Sequence, residues 1–131
     1  MLKSLNVKPS AVVGHSAGEI VAAYAAGALT AAEAITISYH RGQAAGGVSK
    51  CGGMMAVSLG REQVSPLLTE GVIVACENSP RSVTLSGESS ELDAIAVEIQ
   101  NRHPDVSMKR LAVNRAYHSG KFSPFHMHQI C

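Results

Sequence analysis

Tryptophan is absent from the 131-residue chain, and tyrosine and phenylalanine bring the aromatic share to only 4%. So few flat rings argue against a stacking platform for single-stranded nucleic acid. An excess of one charge is missing too: 11 basic and 10 acidic side chains leave a net +1, with no run of Lys or Arg. That balance argues against a nucleic-acid protein or a polybasic membrane binder. Cysteine is confined to Cys51, Cys76 and Cys131, an odd number, far apart, with no C-x-x-C pair. The pattern is neither a disulfide framework nor a metal site, and it suits a reducing, cytoplasmic setting. Long hydrophobic runs are lacking as well. The longest, residues 20–29, contains Gly27 and is too short for a bilayer, while residues 1–9 are too polar for a signal-peptide core.

What remains is a hydrophobic fraction of 46% with 16% charged residues, the composition of one folded α/β domain. The opening residues read as a helix end running into a turn at Pro9. Ser10-Ala11-Val12-Val13-Gly14 is a short β-branched run between turn residues and reads as a buried strand, central in a parallel sheet. Residues 17–26 change to helical composition, with Glu19 in the first turn and Gly27 as the stop. Thr30-Ala31-Ala32-Glu33 is a capping box opening a second helix through Arg41, which frays at Gly46-Gly47 into a glycine-rich hinge ending at Gly53. Strands are then expected at residues 54–59, 72–76, 82–86 and 106–113, with helices at 62–69 and 89–101 and a turn at Glu77-Asn78-Ser79-Pro80. The second of these helices puts Leu92, Ile95, Ala96 and Ile99 on one face. The order β-α-β-β-α-β is that of a ferredoxin-like unit.

Chemistry concentrates at Gly14-His15-Ser16-Ala17-Gly18, a G-x-S-x-G sequence between an expected strand and an expected helix. The glycines allow a sharp turn that projects the Ser16 hydroxyl, and the helix N-terminus supplies positive potential for an oxyanion. A glycine-rich turn without chemistry has the same letters, but the flanks favour the elbow. A serine hydroxyl needs a base, and six histidines are on offer. His15 adjoins the serine, His40 lies on the second helix, and His103 precedes Pro104 in a polar loop. His118 follows the last strand, while His126 and His128 form an H-x-H tail without the further ligands a metal site requires. Taken singly, each is more simply a surface or packing histidine. Arg41 follows the apolar residues 34–39 and is either a solvated helix-end cation or a guanidinium fork for a carboxylate.

Four stretches together resemble the malonyl-CoA:acyl-carrier-protein acyltransferase family. They are Gly14-His15-Ser16-Ala17-Gly18-Glu19, Tyr39-His40-Arg41-Gly42, Glu77-Asn78-Ser79-Pro80 with Ser82-Val83-Thr84-Leu85-Ser86-Gly87, and Ala116-Tyr117-His118-Ser119. The wording is most similar to acyltransferase domains of fungal iterative, reducing polyketide synthases, from about residue 5 to residue 119. The resemblance implies Ser16 as the acylated nucleophile, His118 as general base and acid, Arg41 as the holder of the malonyl carboxylate, and the Ala17 amide as an oxyanion donor. It implies a ping-pong transfer from malonyl-CoA to the phosphopantetheine thiol of an acyl carrier protein, beside other polyketide synthase domains, with no bound cofactor and no metal. The fold implied is α/β: a partial large α/β hydrolase-like subdomain, residues 1–53 and 114–131, with an inserted ferredoxin-like small subdomain, residues 54–113. Asp93 and Asp105, the only aspartates, both fall in the small part, so a Ser-His dyad is a better expectation than a triad.

The family pattern also implies a glycine- and glutamine-rich oxyanion loop before this sequence and further elements after it. The chain therefore reads as truncated at both ends, poorly soluble and inactive alone, with Gly120-Lys121-Phe122 opening a translated intron through Cys131. Two alternatives stand beside this reading. One is a serine esterase or thioesterase of α/β-hydrolase type, which shares G-x-S-x-G; the other is a non-enzymatic remnant.

Overall fold

A computed structural model describes residues 2–7, 9–47, 52–113 and 115–117. They divide into two units, one ending at Gly47 and one beginning at Val48.

The first unit is helical. A 3-10 turn covers Leu2–Leu5, α1 covers Gly18–Ala25 and α2 covers Ala31–Gly47. Gly27 stops α1 as expected, at φ +80. The Gly27 amide donates to the Tyr24 carbonyl at 3.0 Å and the Ala28 amide to the Ala23 carbonyl at 2.9 Å. Those two bonds are a Schellman closure, open to a residue that tolerates positive φ. Three residues later the capping box is fully formed. The Thr30 amide and hydroxyl each donate to Glu33 Oε2 at 2.8 Å, and the Glu33 amide donates to Thr30 Oγ1 at 3.2 Å. One helix is closed and the next opened within a few residues, so the chain turns back on itself as a helical hairpin in which α1 and α2 pack together.

Residues 10–14, expected as a buried central strand, form none. A strand exists only through its ladder of hydrogen bonds, and among the described residues nothing pairs with this segment. Val13 is accordingly 97% exposed. The expected parallel sheet is likewise not found among the described residues; all pairing there is antiparallel.

The second unit holds that sheet. Its elements are β1 (Gly53–Val57), α3 (Arg61–Val64) running into a 3-10 turn at Ser65–Leu67, β2 (Val72–Ser79), β3 (Ser82–Gly87), α4 (Ser89–Arg102) and β4 (Met108–Arg110). The strand order is β2-β3-β1-β4, and the β-α-β-β-α-β succession is the one the sequence pattern predicts. Met55 and Val57 of β1, Val83 and Leu85 of β3 and Val72 of β2 meet Leu92, Ile95 and Ile99 of α4 in one buried cluster, with Ala96 packed on its edge. This is the three- and four-residue face expected of α4.

Several boundaries differ from expectation, three of them with a clear physical reason. The stretch expected as a turn from Glu77 to Pro80 is mostly strand, because β3 offers ladder partners as far as Ser79↔Ser82 and two register shifts absorb the mismatch. The turn contracts to Pro80 and Arg81. At the other edge β4 pairs only with Met55, Ala56 and Val57, and it is much shorter than residues 106–113. The helix expected at 62–69 is a single α-turn that tightens at Pro66, which has no amide to donate. Gly60 stands before it, where a Cβ would come within 2.4 Å of the Pro80 carbonyl oxygen. Arg110 ties β4 to the first turns of α4, donating to the Ser89 carbonyl at 2.7 Å and pairing with Asp93.

Two outcomes check this account. Leu92→Ala or Ile99→Ala should cost about 2–5 kcal/mol in urea unfolding followed by circular dichroism. Val97→Ala, on the 62% exposed side of the same helix, should change it by no more than about 0.5 kcal/mol. Equal losses would mean that α4 does not pack as described. In the first unit, the Thr30 amide and then its hydroxyl hold the Glu33 carboxyl below its ordinary 4.5. A lowered carboxylate stabilises the fold above its unfolded pKa, and that contribution is lost as pH falls through the lowered value. The Thr30 amide proton should therefore titrate with a midpoint below 4.5, and the transition should vanish in Glu33→Gln. A midpoint at or above the ordinary value would contradict the capping geometry.

Candidate active site

The turn into α1 is set by backbone contact. A Cβ on residue 14 would lie 2.3 Å from the carbonyl carbon and oxygen of Gly18 and 2.4 Å from the Glu19 nitrogen. Only glycine lets the incoming chain lie against the first turn of the helix. The Gly18 amide donates to the His15 carbonyl at 2.9 Å and the Glu19 amide to the Ser16 carbonyl at 3.1 Å. The reversal is completed at Ser16, which sits at φ +53, in the left-handed region. A non-glycine residue there stores roughly 1–3 kcal/mol of strain and is typical of functional turns. The second glycine of the motif differs: a Cβ on Gly18 meets nothing within 4 Å among the described residues. Ala17 is the N-cap of α1, and its amide has no acceptor inside the helix. Ser16 itself is half-buried.

Arg41 reaches this turn. Its Nη2 donates to Ser16 Oγ at 3.3 Å, across 25 residues of sequence. The hairpin accounts for the meeting. Ser16 lies ten residues before the C-cap Ala26, and Arg41 lies ten residues after Ala31, the first residue of α2. At about 1.5 Å per residue both distances are ~15 Å, so a chain that turns back at residues 27–30 returns Arg41 to the level of Ser16. The guanidinium is thus at the serine hydroxyl while the side chain stays exposed, a placement compatible with both readings of Arg41. Residue spacing held this information, since the Gly27 stop and the Thr30 cap fix where the chain reverses.

The other sequence candidates are less gathered. His15 is exposed beside the turn, and His40 is exposed and meets the Tyr39 ring edge-on at 5.4 Å. His103 is half-buried where its amide caps α4 on the Ile99 carbonyl at 2.7 Å. His118, His126 and His128 lie outside the described residues, as do residues 120–131. Asp93 is held by Arg110. Among the described residues no group of three or more His, Cys, Asp or Glu could hold a metal ion. No described helix is long and apolar enough to cross a membrane.

The family model described as acyl transferase domain matches residues 1–126. A highly reducing polyketide synthase of Glarea lozoyensis is 56% identical over 119 residues, which is 91% of this chain and 5% of that protein. The chain thus spans about one twentieth of the length of such a relative. Among solved structures, the acyltransferase domain from the second module of the salinomycin polyketide synthase superposes with a TM-score of 0.80 at 37% identity, covering 90% of this chain and 28% of that one. A malonyl CoA-acyl carrier protein transacylase from Clostridium perfringens gives 0.78 at 26% identity, covering 92% and 40%.

The two glycines of the motif should respond differently. In an Arg41→Ala background, where the contact to Oγ is absent, Gly14→Ala displaces the turn and should slow sulfonylation of Ser16 by methanesulfonyl fluoride at least about tenfold, the scale set by small misplacements of reacting groups. Gly18→Ala should stay within about threefold, since the added methyl meets open space and alanine favours the helix. Intact-mass kinetics read both, and equal effects would remove the steric reason given for Gly14.

Proposed function

The chain belongs to the acyl transferase domain family, and on that premise we propose that it transfers a malonyl group through an ester on Ser16. The donor is malonyl-CoA and the acceptor is the phosphopantetheine thiol of an acyl carrier protein, within polyketide synthesis. The observation that carries the reading is the placement of the Arg41 guanidinium 3.3 Å from Ser16 Oγ, on a left-handed turn at a helix start. A dicarboxylic thioester needs one group to attack its carbonyl and one to recognise its free acid, and this turn offers both.

In the first half-reaction Ser16 Oγ forms a bond to the thioester carbonyl carbon. The C–S bond breaks, coenzyme A leaves as its thiol, and the serine proton passes to it by way of His118. The Ala17 amide supplies a donor to the oxyanion. The carrier thiol then attacks the ester carbon and gives its proton to His118; the Oγ–carbon bond breaks, and His118 delivers that proton to Oγ. Arg41 pairs with the free carboxylate and favours malonyl over acyl groups that would leave the fork unmatched. Residues 1–53 and 114–131 form the large subdomain in this reading, and residues 54–113 the ferredoxin-like small one. Family membership takes the place of the serine esterase alternative. None of the described side chains of the helical unit is buried, so this unit alone does not exclude water from the site.

Intact-mass analysis after incubation with malonyl-CoA or acetyl-CoA tests the proposal. It is made on the chain alone and on the chain spliced into the matching stretch of the Glarea lozoyensis relative. Malonyl mass should appear in the spliced protein and disappear in Ser16→Ala. Arg41→Ala should lower malonyl labelling more than acetyl labelling, and His118→Ala should slow labelling by about 10²–10⁴-fold. A malonyl adduct persisting in Ser16→Ala overturns the assignment of the nucleophile.

A further inference from the structure

A guanidinium carries donors only, so in its contact with Ser16 the Arg41 Nη2–H donates and Oγ accepts. A serine oxygen has two acceptor lone pairs, and attack on a carbonyl carbon uses one of them. A guanidinium nitrogen 3.3 Å away stands in one direction from which that carbon approaches. A cation beside a hydroxyl also favours the alkoxide, but Arg41 is exposed and Ser16 only half-buried, so water screens that benefit. The obstruction is not screened, because it is a matter of occupied space and an occupied lone pair.

We propose that Arg41 gates the reactivity of Ser16 and that a substrate carboxylate opens the gate. This rests on reading Ser16 as the acylated residue. With no carboxylate present, the guanidinium stays on Oγ and holds the hydroxyl in a slow form. A carboxylate offers a charge-assisted, two-point partner that a single neutral hydroxyl cannot match. The fork moves to it, and the guanidinium no longer occupies Oγ. The Oγ–carbon bond then forms, the carbon–sulfur bond breaks, and the serine proton leaves with the departing thiol. Acyl groups without a free acid are disfavoured twice, once in binding and once because they meet a nucleophile that is still engaged.

The gate is tested by supplying the carboxylate separately from the electrophile. Methanesulfonyl fluoride is uncharged and small; Oγ displaces fluoride from its sulfur, and the serine proton passes to buffer. Formate should accelerate sulfonylation of the full chain by about fivefold, the scale of one exchanged hydrogen bond. Chloride at equal ionic strength should not. Ser16→Ala confirms the site of the added mass. In Arg41→Ala the reaction should run at the faster rate without formate and ignore its addition. The unsubstituted chain alone decides the matter if that variant folds poorly. Formate that leaves its rate unchanged, or lowers it, overturns the gate, as does an Arg41→Ala chain slower than the parent. Malonyl labelling separates the two proposals. A formate response without any malonyl adduct in the spliced protein removes the transfer reading and keeps the gate; the reverse removes the gate alone.

Discussion

Residue 14 has no room for a side chain, because any Cβ there would press within 2.3 Å of the Gly18 backbone. That single exclusion shapes the helical unit. The chain must come in against the first turn of α1, and it can do so only by reversing sharply at Ser16, whose φ of +53 is the cost of the reversal. The reversal leaves Ser16 at the start of α1, which has Glu19 in its first turn. From there the lengths of α1 and α2 settle the rest. A hairpin whose arms are equal from Ser16 to Ala26 and from Ala31 to Arg41 puts the guanidinium at the hydroxyl. The contact is thus a product of two helix ends, Gly27 and Thr30, that do not touch the site.

Local chemistry was legible in the sequence and pairing was not. The capping box at Thr30 and Glu33, the stop at Gly27 and the buried face of α4 each depend on residues within a turn or two of one another, so their spacing declares them. The β-α-β-β-α-β order is also visible, because each element carries its own pattern. Strand limits behave differently. Glu77, Asn78 and Ser79 have turn chemistry, yet β3 lies alongside, and its ladder outweighs their preference. Residues 10–14 are the opposite case. Their β-branched composition fits a strand, but propensity cannot supply the partner that makes one. The meeting of Arg41 with Ser16 went unread for want of a simple sum of helix lengths, which the caps at either end permit.

The two units differ in what holds them together. The sheet unit has a buried cluster drawn from three strands and from α4, whereas the helical unit that carries Ser16 and Arg41 has no buried side chain among those described. Its order comes from the backbone bonds along α1 and α2 and at their ends, from the packing of these two helices on each other and from one glycine contact. Such elements open at low free-energy cost. The gate proposed for Arg41 is well served by that, since the side chain can move without disturbing a packed core.

Exposure also limits what Arg41 can achieve by affinity. An ion pair between exposed groups is worth about 0–1 kcal/mol, which is roughly a fivefold preference at most. Strong discrimination by an unpaired buried charge requires a site from which water is removed, and the helical unit alone does not remove it. An exposed arginine has a second route to selectivity, through what it does when no carboxylate is present. Occupying Oγ needs no burial: a guanidinium nitrogen 3.3 Å away stands in the space beside the hydroxyl, and in the proposed gate the carboxylate that relieves it is the feature to be recognised. On the proposed reading, the Ser16–Arg41 contact makes sense of an otherwise awkward pairing, in which the recognition group sits on the nucleophile itself. Recognition and activation then share one hydrogen bond, so the same event that identifies the acyl group makes the serine available to it.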